Sequence, residues 1–237
     1  MCLFFFINKK TLKKNFYKRG FFFLIKGKSS IYRIGPHNVD FISFLLGSIL
    51  GDPHLEKREK GLGTKIIFEQ CQRNVEYLMW FQKFLVIRGY VPNIKLNLKI
   101  RIKKNNKVFY FYRINSYTFF SLNWLYELFY QNKVKKIPQK SYIWNYFTVF
   151  SLAIWYMGDG SKTKSGFKFA TNCFDKKDIE YLCFILHKNF NLNTSIHSGG
   201  KNKGFIIYIK SDSKNLFISL IEPYMIQSMK YKLYNNF

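Results

Sequence analysis

Acidic residues are scarce in this chain. Its 237 residues hold 13 Asp and Glu against 39 Lys and Arg, a formal charge of +26, and no acid occurs before Asp40. Because the cations run along the whole chain rather than in one tail, a polyanionic partner is expected. A ribosomal or merely basic protein has the same balance, so charge alone does not choose between them. Long apolar runs are lacking too. None approaches the roughly 20 residues that a membrane-spanning helix needs, and no membrane partner is expected. Cysteine is sparse and unpatterned: Cys2, Cys71, Cys173 and Cys183 form no C-x-x-C pair, and no histidine stands at a spacing that completes a zinc site. They read as ordinary thiols in a reducing compartment.

What is plentiful is aromatic. With 27 Phe and 17 Tyr, and 48% hydrophobic residues overall, the chain is apolar enough to fold into one or two domains. Abundant Phe, Tyr, Lys, Asn and Ile are what A+T-rich codons produce, which suggests an organellar gene.

The two halves repeat each other. Each opens with an apolar helical stretch ending in Gly-Asp, Phe41 to Asp52 and Val149 to Asp159, the two acids standing 107 residues apart. Asn74-Val75-Glu76-Tyr77-Leu78 is echoed by Asp178-Ile179-Glu180-Tyr181-Leu182, each within a helical pattern (Val75, Leu78, Leu85; Ile179, Leu182, Leu186). Asp175 is the expected N-cap of the second, with Asp178 three residues on. Strand-like stretches precede these helices, Thr64 to Gln70 and Gly166 to Asn172. A β-rich stretch follows each, then a last helix closing with lysines: Lys133, Lys135 and Lys136 before Pro138, and Lys230 and Lys232 near the end.

The clearest strand signal is the alternation over 95–103. Leu96, Leu98, Ile100 and Ile102 share one face, which is expected to pack on a core, while Lys95, Asn97, Lys99, Arg101 and Lys103 share the other. A solvated outer face usually mixes both signs of charge. No acid interrupts this one, so a nucleic-acid groove is favoured. Asn105-Asn106 reads as a turn into Val108 to Asn115. The matching strand of the second half is Phe205 to Lys210, with a shorter partner around Thr194 to His197.

Both leading helices are apolar all round and so are expected to be buried. Gly47 and Gly51 on the first, and Ala153 and Gly158 on the second, let two backbones approach closely. Related by a two-fold axis, the helices would bring Asp52 and Asp159 side by side at C-termini whose dipoles are already negative. That arrangement calls for a cation. Mg²⁺ binds one or two carboxylates together with phosphate and water, which implies attack of water on a phosphodiester. A single Gly-Asp after a helix is usually only a turn; its recurrence in both repeats shifts the balance.

Leu45-Leu46-Gly47-Ser48-Ile49-Leu50-Gly51-Asp52-Pro53 and Leu152-Ala153-Ile154-Trp155-Tyr156-Met157-Gly158-Asp159-Gly160 resemble the two motifs of the LAGLIDADG homing endonucleases, in their double-motif monomeric class. The resemblance runs from Gly35 onward and takes in Lys135-Lys136-Ile137-Pro138 and Met229-Lys230-Tyr231-Lys232-Leu233. Pro53 departs from the last glycine of the first motif, and Ile154 from a small residue in the second, where it is expected to loosen or skew the helix contact.

The resemblance implies an α+β fold of two pseudo-symmetric αββαββα units, over 35–137 and 138–237, whose four-stranded antiparallel sheets form a DNA-binding saddle. Asp52 and Asp159 would be catalytic and would hold Mg²⁺ with the carbonyls of Gly51 and Gly158. Mn²⁺ would substitute, and Ca²⁺ would bind without turnover. Lys135 and Lys232 would stabilise phosphate charge or orient water, and Gln72 matches a polar position that holds solvent in some relatives. Lys65, Lys168, Asn172, His197 and Lys210 join Lys95, Asn97, Lys99, Arg101 and Lys103 as expected DNA contacts. The implied partner is a long asymmetric double-stranded DNA held through the major groove by a monomer, with the chain's own intron RNA as a further partner and a mitochondrion, ahead of a chloroplast, as the compartment.

Residues 1–34 form a basic tail in which Lys9, Lys10, Lys13, Lys14, Lys18, Arg19, Lys26 and Lys28 lie among Phe clusters. It reads equally as a transit peptide, a remnant of translation into an intron, or a loose arm along DNA. The rivals to the nuclease are a maturase and a non-cleaving DNA-binding protein of the same fold. Retention of both acids and both lysines argues against the loss of cleavage. His37, His54, His187 and His197 form no H-N-H pattern, and Ile31 to Gly35 resembles only half of a GIY-YIG signature.

Overall fold

The structure, a computed structural model, describes residues 29–33, 35, 37–57, 61–102, 106–200 and 203–234. Lys103 and the basic tail apart from 29–33 lie outside the described residues. In the first half the elements are α1 (Val39–Leu50), β1 (His54–Lys57), β2 (Thr64–Cys71), α2 (Val75–Ile87), β3 (Lys99–Ile102), β4 (Val108–Asn115) and α3 (Asn123–Phe129). A hairpin of β5 (Tyr130–Gln131) and β6 (Val134–Lys135) follows. The second half runs α4 (Val149–Asp159), β7 (Gly160–Lys162), β8 (Phe167–Phe169), α5 (Lys176–Phe190), β9 (Thr194–Ser198), β10 (Phe205–Ile209) and α6 (Lys214–Ile221). The expected αββαββα order therefore occurs twice. Each half carries a four-stranded antiparallel sheet, ordered β1-β2-β4-β3 and β7-β8-β10-β9. Among the described residues no helix is long and apolar enough to cross a membrane.

α1 and α4 form the seam between the halves. Asn38 caps α1 by accepting from the Phe41 N–H, and Thr148 and Ser151 close a reciprocal capping box on α4. Every residue from Phe41 to Leu50 is buried, as is every residue from Ser151 to Met157. Gly47 is what allows the contact, because a Cβ there would stand 2.2 Å from the Ser151 carbonyl oxygen. Ser151 Oγ donates to the Ser43 carbonyl at 2.7 Å, and Ser43 Oγ to that of Tyr146 at 2.9 Å, so polar groups in the seam are satisfied across it. Ile154 does not hold the helices apart. It is buried, and its carbonyl accepts from Tyr77 Oη at 3.3 Å. Aromatic clusters flank the seam, Phe44 with Phe81 and Phe84 in one half, Trp155 and Tyr156 with Phe169 and Phe217 in the other, and Phe150 of the second half reaches across to Phe44. Of these rings all but Phe84 and Phe150 are fully buried, and each fully buried one contributes about 1.5–3 kcal/mol.

Five local expectations are corrected. The strand expected from Lys95 is β3, beginning at Lys99, and Lys95 and Asn97 lie in an irregular exposed segment before it. Ile100 and Ile102 do share a face, but that face is 61% and 68% exposed instead of core, since β3 is an edge strand and α2 packs over β2 and β4. The strand expected to reach Asn172 ends at Phe169, and the Asn172 side-chain amide instead donates to the Lys203 carbonyl beside the β9–β10 turn. Asp175 precedes α5 but makes no side-chain cap; it pairs with Lys136, while buried Asp178 accepts from the Ile137 N–H at 3.2 Å. Finally, Lys135 is not on a helix. Asn132 and Lys133 take left-handed φ values of 49° and 64°, which turns the chain into the β5–β6 hairpin and sets Lys135 on a strand, whereas Lys230 and Lys232 close a helix as expected, a short 3-10 one, Gln227–Lys232.

Candidate functional site

The seam delivers two carboxylates to one place. α1 ends at Leu50 and α4 at Asp159, and the backbones remain in contact to their ends: a Cβ on Gly158 would lie 3.6 Å from the Gly51 Cα, 3.5 Å from the Asp52 N and 3.9 Å from the Asp52 Oδ2. The Asp159 carboxyl is pushed up to about 7, chiefly by burial and then by the charge of Asp52, with Lys135 and Lys232 pulling the other way. The helix ends that carry the two acids thus meet as the duplicated sequence implies.

Lys135 and Lys232 arrive from different elements, and each donates to carbonyls at the end of one seam helix. Lys135 Nζ donates to the Gly51 carbonyl at 3.3 Å; Lys232 Nζ donates to those of Met157 and Gly158 at 2.7 and 2.8 Å. Burial pushes both ammonium groups down, that of Lys232 to about 8, while both aspartates oppose the shift. The carbonyls expected as cation ligands are therefore the ones the lysines hold. Each carbonyl oxygen retains a second lone pair.

The amide at the site is Gln70, not Gln72. Gln70 is buried on the helix-facing side of β2 and donates from Nε2 to Asp52 Oδ2 at 2.6 Å, while its Oε1 accepts from Asn74 Nδ2 at 3.2 Å. Gln72 lies exposed in the 3-10 turn beyond the strand. Alternation puts residues 70 and 72 on the same side as buried Ile66 and Phe68, and the strand's end at Cys71 is what makes Gln70 the last residue of β2 to face the helices. Among the described residues the second half shows no such amide on its acid. Two residues past buried Phe169, as Gln70 is past Phe68, stands Thr171, and its hydroxyl turns to the Phe205 carbonyl at 2.9 Å.

Among the described residues no group of three or more His, Cys, Asp or Glu could hold a metal ion. The donors at the seam are two carboxylates and the neighbouring carbonyls, all oxygen. That set fits a hard divalent cation whose remaining ligands come from water and phosphate, and it does not fit zinc.

On the first sheet the outward face, turned away from α2, carries Lys65 and Glu69 on β2, Arg113 and Asn115 on β4, and Lys99 and Arg101 on β3, as the strand registers require. An acid does enter the basic ladder: Glu69 pairs with both Arg101 and Arg113. Lys65 pairs with Glu56. Lys168 is outward on β8 and His197 on β9, where its Nε2 meets Ser195 Oγ at 2.8 Å, and Lys210 is exposed just beyond β10. Asn172 lies off this face, and Lys95 and Asn97 precede it. Arg113 and Asn115 were missed because aromatics on both faces of β4 hide its alternation.

Comparison with known proteins agrees with this geometry. The family model described as LAGLIDADG DNA endonuclease matches residues 42–217. The cytochrome b mRNA maturase bI2 of Saccharomyces cerevisiae is 39% identical over 209 residues, covering 85% of this chain and 49% of its own, so the chain spans about half the length of that relative. The intron-encoded endonuclease ai4 of Dictyostelium discoideum is 37% identical over 154 residues, 64% of this chain and 96% of its own. Among solved structures, the homing endonuclease I-WcaI bound to its DNA recognition sequence superposes with a TM-score of 0.74 at 30% identity, covering 84% of this chain and 88% of that one. Two LAGLIDADG-type helices packed at their glycines, an acid at the end of each and a sheet on either side make this chain a member of the LAGLIDADG DNA endonuclease family.

Proposed function

We propose that the chain is a monomeric, site-specific DNA endonuclease of the intron-homing kind, cutting both strands of a long asymmetric duplex held through the major groove. The observation that carries the reading is the meeting of Asp52 and Asp159 where the two helix ends touch. Mg²⁺ is the ion proposed there, with Mn²⁺ able to replace it, and when bound it supplies a Lewis acid and an activated water for phosphodiester hydrolysis. Asp52 and Asp159 hold it, with the Gly51 and Gly158 carbonyls alongside. Gln70 aims Asp52, taking the part expected of Gln72. Lys135 and Lys232, buried next to the carboxylates, offset the charge of the phosphate. Lys65, Lys99, Arg101, Lys168, His197 and Lys210 face the duplex. Likeness to cytochrome b mRNA maturases, together with the A+T-type composition, supports a mitochondrial setting ahead of a chloroplast one.

The test is cleavage of a plasmid carrying the site that the chain selects. Wild type should linearise it in Mg²⁺ and bind without cutting in Ca²⁺. Asp52→Asn or Asp159→Asn should each reduce linearisation by at least about a thousandfold while binding in Ca²⁺ persists. Either variant cutting at the wild-type rate defeats the reading.

A second reading is favoured by one observation, the 39% identity to a protein named as an mRNA maturase. Assisting an intron RNA does not require the carboxylate pair, so on that reading the double variant Asp52→Asn, Asp159→Asn still promotes splicing of the intron.

A further inference from the structure

Three side chains on the outward face of the first sheet form one network. Glu69 is the Cα partner of Arg113, and its Oε1 lies 3.2 Å from Arg113 Nη1. Its other oxygen, Oε2, accepts from Arg101 Nη2 at 3.0 Å, reaching across β4 to the edge strand. The Arg101 guanidinium also lies over the Phe111 ring, 4.6 Å from its centroid, and Arg113 Nε donates to Asn115 Oδ1 at 3.1 Å.

Stability does not explain this arrangement, since exposed ion pairs contribute little. Phosphate attraction does not explain it either. An acid in the middle of a basic contact face weakens binding to any polyanion, and a point charge needs no fixed plane to attract phosphate. What the network supplies is direction. Phe111 sets the plane of the Arg101 fork and Glu69 takes one of its ends, yet 56% of the Arg101 side-chain surface stays open. Arg113 is 29% exposed and engaged at both Nε and Nη1, so it braces Glu69 from the other side. A fork held in a plane with an open edge suits the paired acceptors O6 and N7 that guanine alone presents in the major groove.

We propose that Glu69 is a specificity-determining positioning residue, holding Arg101 in the orientation in which its open edge reads a guanine of the target DNA. The inference rests on the nuclease reading above. Glu69 acts through Arg101 and itself leaves the base untouched, since both its oxygens are engaged by guanidinium groups.

The experiment selects bound duplexes from a randomised library, with Ca²⁺ as the divalent ion, using wild type, Arg101→Lys and Glu69→Gln. Thermal unfolding checks that each variant keeps its fold. Wild type should enrich a guanine at a position that Arg101→Lys relaxes, and Glu69→Gln should relax the same position. The guanine preference in both variants should fall about tenfold, with affinity for random duplex unchanged or raised. The proposal is overturned if Glu69→Gln keeps the wild-type profile, or weakens all sequences alike. It is equally overturned if Glu69→Gln loses a cytosine that Arg101→Lys leaves intact, which would make Glu69 itself the reader. Should wild type enrich no sequence, the nuclease reading fails as well; an enriched site with an unaltered Glu69→Gln profile defeats this inference alone.

Discussion

The two halves bring the same acid to the seam but support it differently. Asp52 accepts a hydrogen bond from Gln70, which is itself held by Asn74, whereas Asp159 has Thr171 in the corresponding place, turned away to the Phe205 carbonyl. The lysines differ in the opposite sense, Lys232 gripping two carbonyls and Lys135 one. A duplicated fold can thus keep its backbone symmetry while its two carboxylates become unequal in the side chains that support them.

The comparison is broken most severely by forcing the halves apart. Gly47→Ala places a methyl 2.2 Å from the Ser151 carbonyl, and should destabilise by about 3 kcal/mol or more in denaturant unfolding, while Gly51→Ala, with its nearest neighbours at 3.7 Å, should cost far less. Equal losses would mean that the seam does not depend on Gly47. Gln70→Ala should slow scission of one strand by about 10- to 100-fold, the usual effect of losing a group that orients a ligand, so that nicked plasmid accumulates; Thr171→Val should change neither strand's rate more than slightly. Equal slowing of both strands in Gln70→Ala would remove the asymmetry.

These residues also mark where the sequence was legible. Repetition exposed both acids, both lysines and the helix seam, because duplicated chemistry survives in spacing. Strand alternation assigned Lys99 and Arg101 to the correct face. It failed for Ile100 and Ile102, since whether a face is covered depends on how far a helix from elsewhere in the chain extends. Gln72 was expected from the resemblance alone, and Gln70, two residues earlier and of the same strand parity, carries no mark of its own in the sequence; Lys135 was expected on a helix because the left-handed turn at Asn132-Lys133 leaves little trace in composition.

A smaller effect follows from proton affinity. The Asp159 carboxyl titrates near 7 when folded, above its unfolded value, so folding favours its neutral form. Its contribution to metal-free stability is therefore lost as pH rises from the ordinary carboxylate range through about 7. A cation must displace that proton. Affinity for Mg²⁺, measured by calorimetry, should climb about tenfold per pH unit below 7 and level off above it, and Asp159→Asn should flatten the profile.

The claim beneath all of this is that the paired carboxylates are tolerable because a divalent ion binds between them. Thermal unfolding of wild type and Asp159→Asn at pH 8, each with and without Mg²⁺, tests it most directly. Without the ion the variant should unfold at the higher temperature. Mg²⁺ at ten times its Kd should raise the wild type by about 3–5 °C and leave the variant where it was. A variant that unfolds no higher than wild type, with Mg²⁺ moving both equally, would contradict the account.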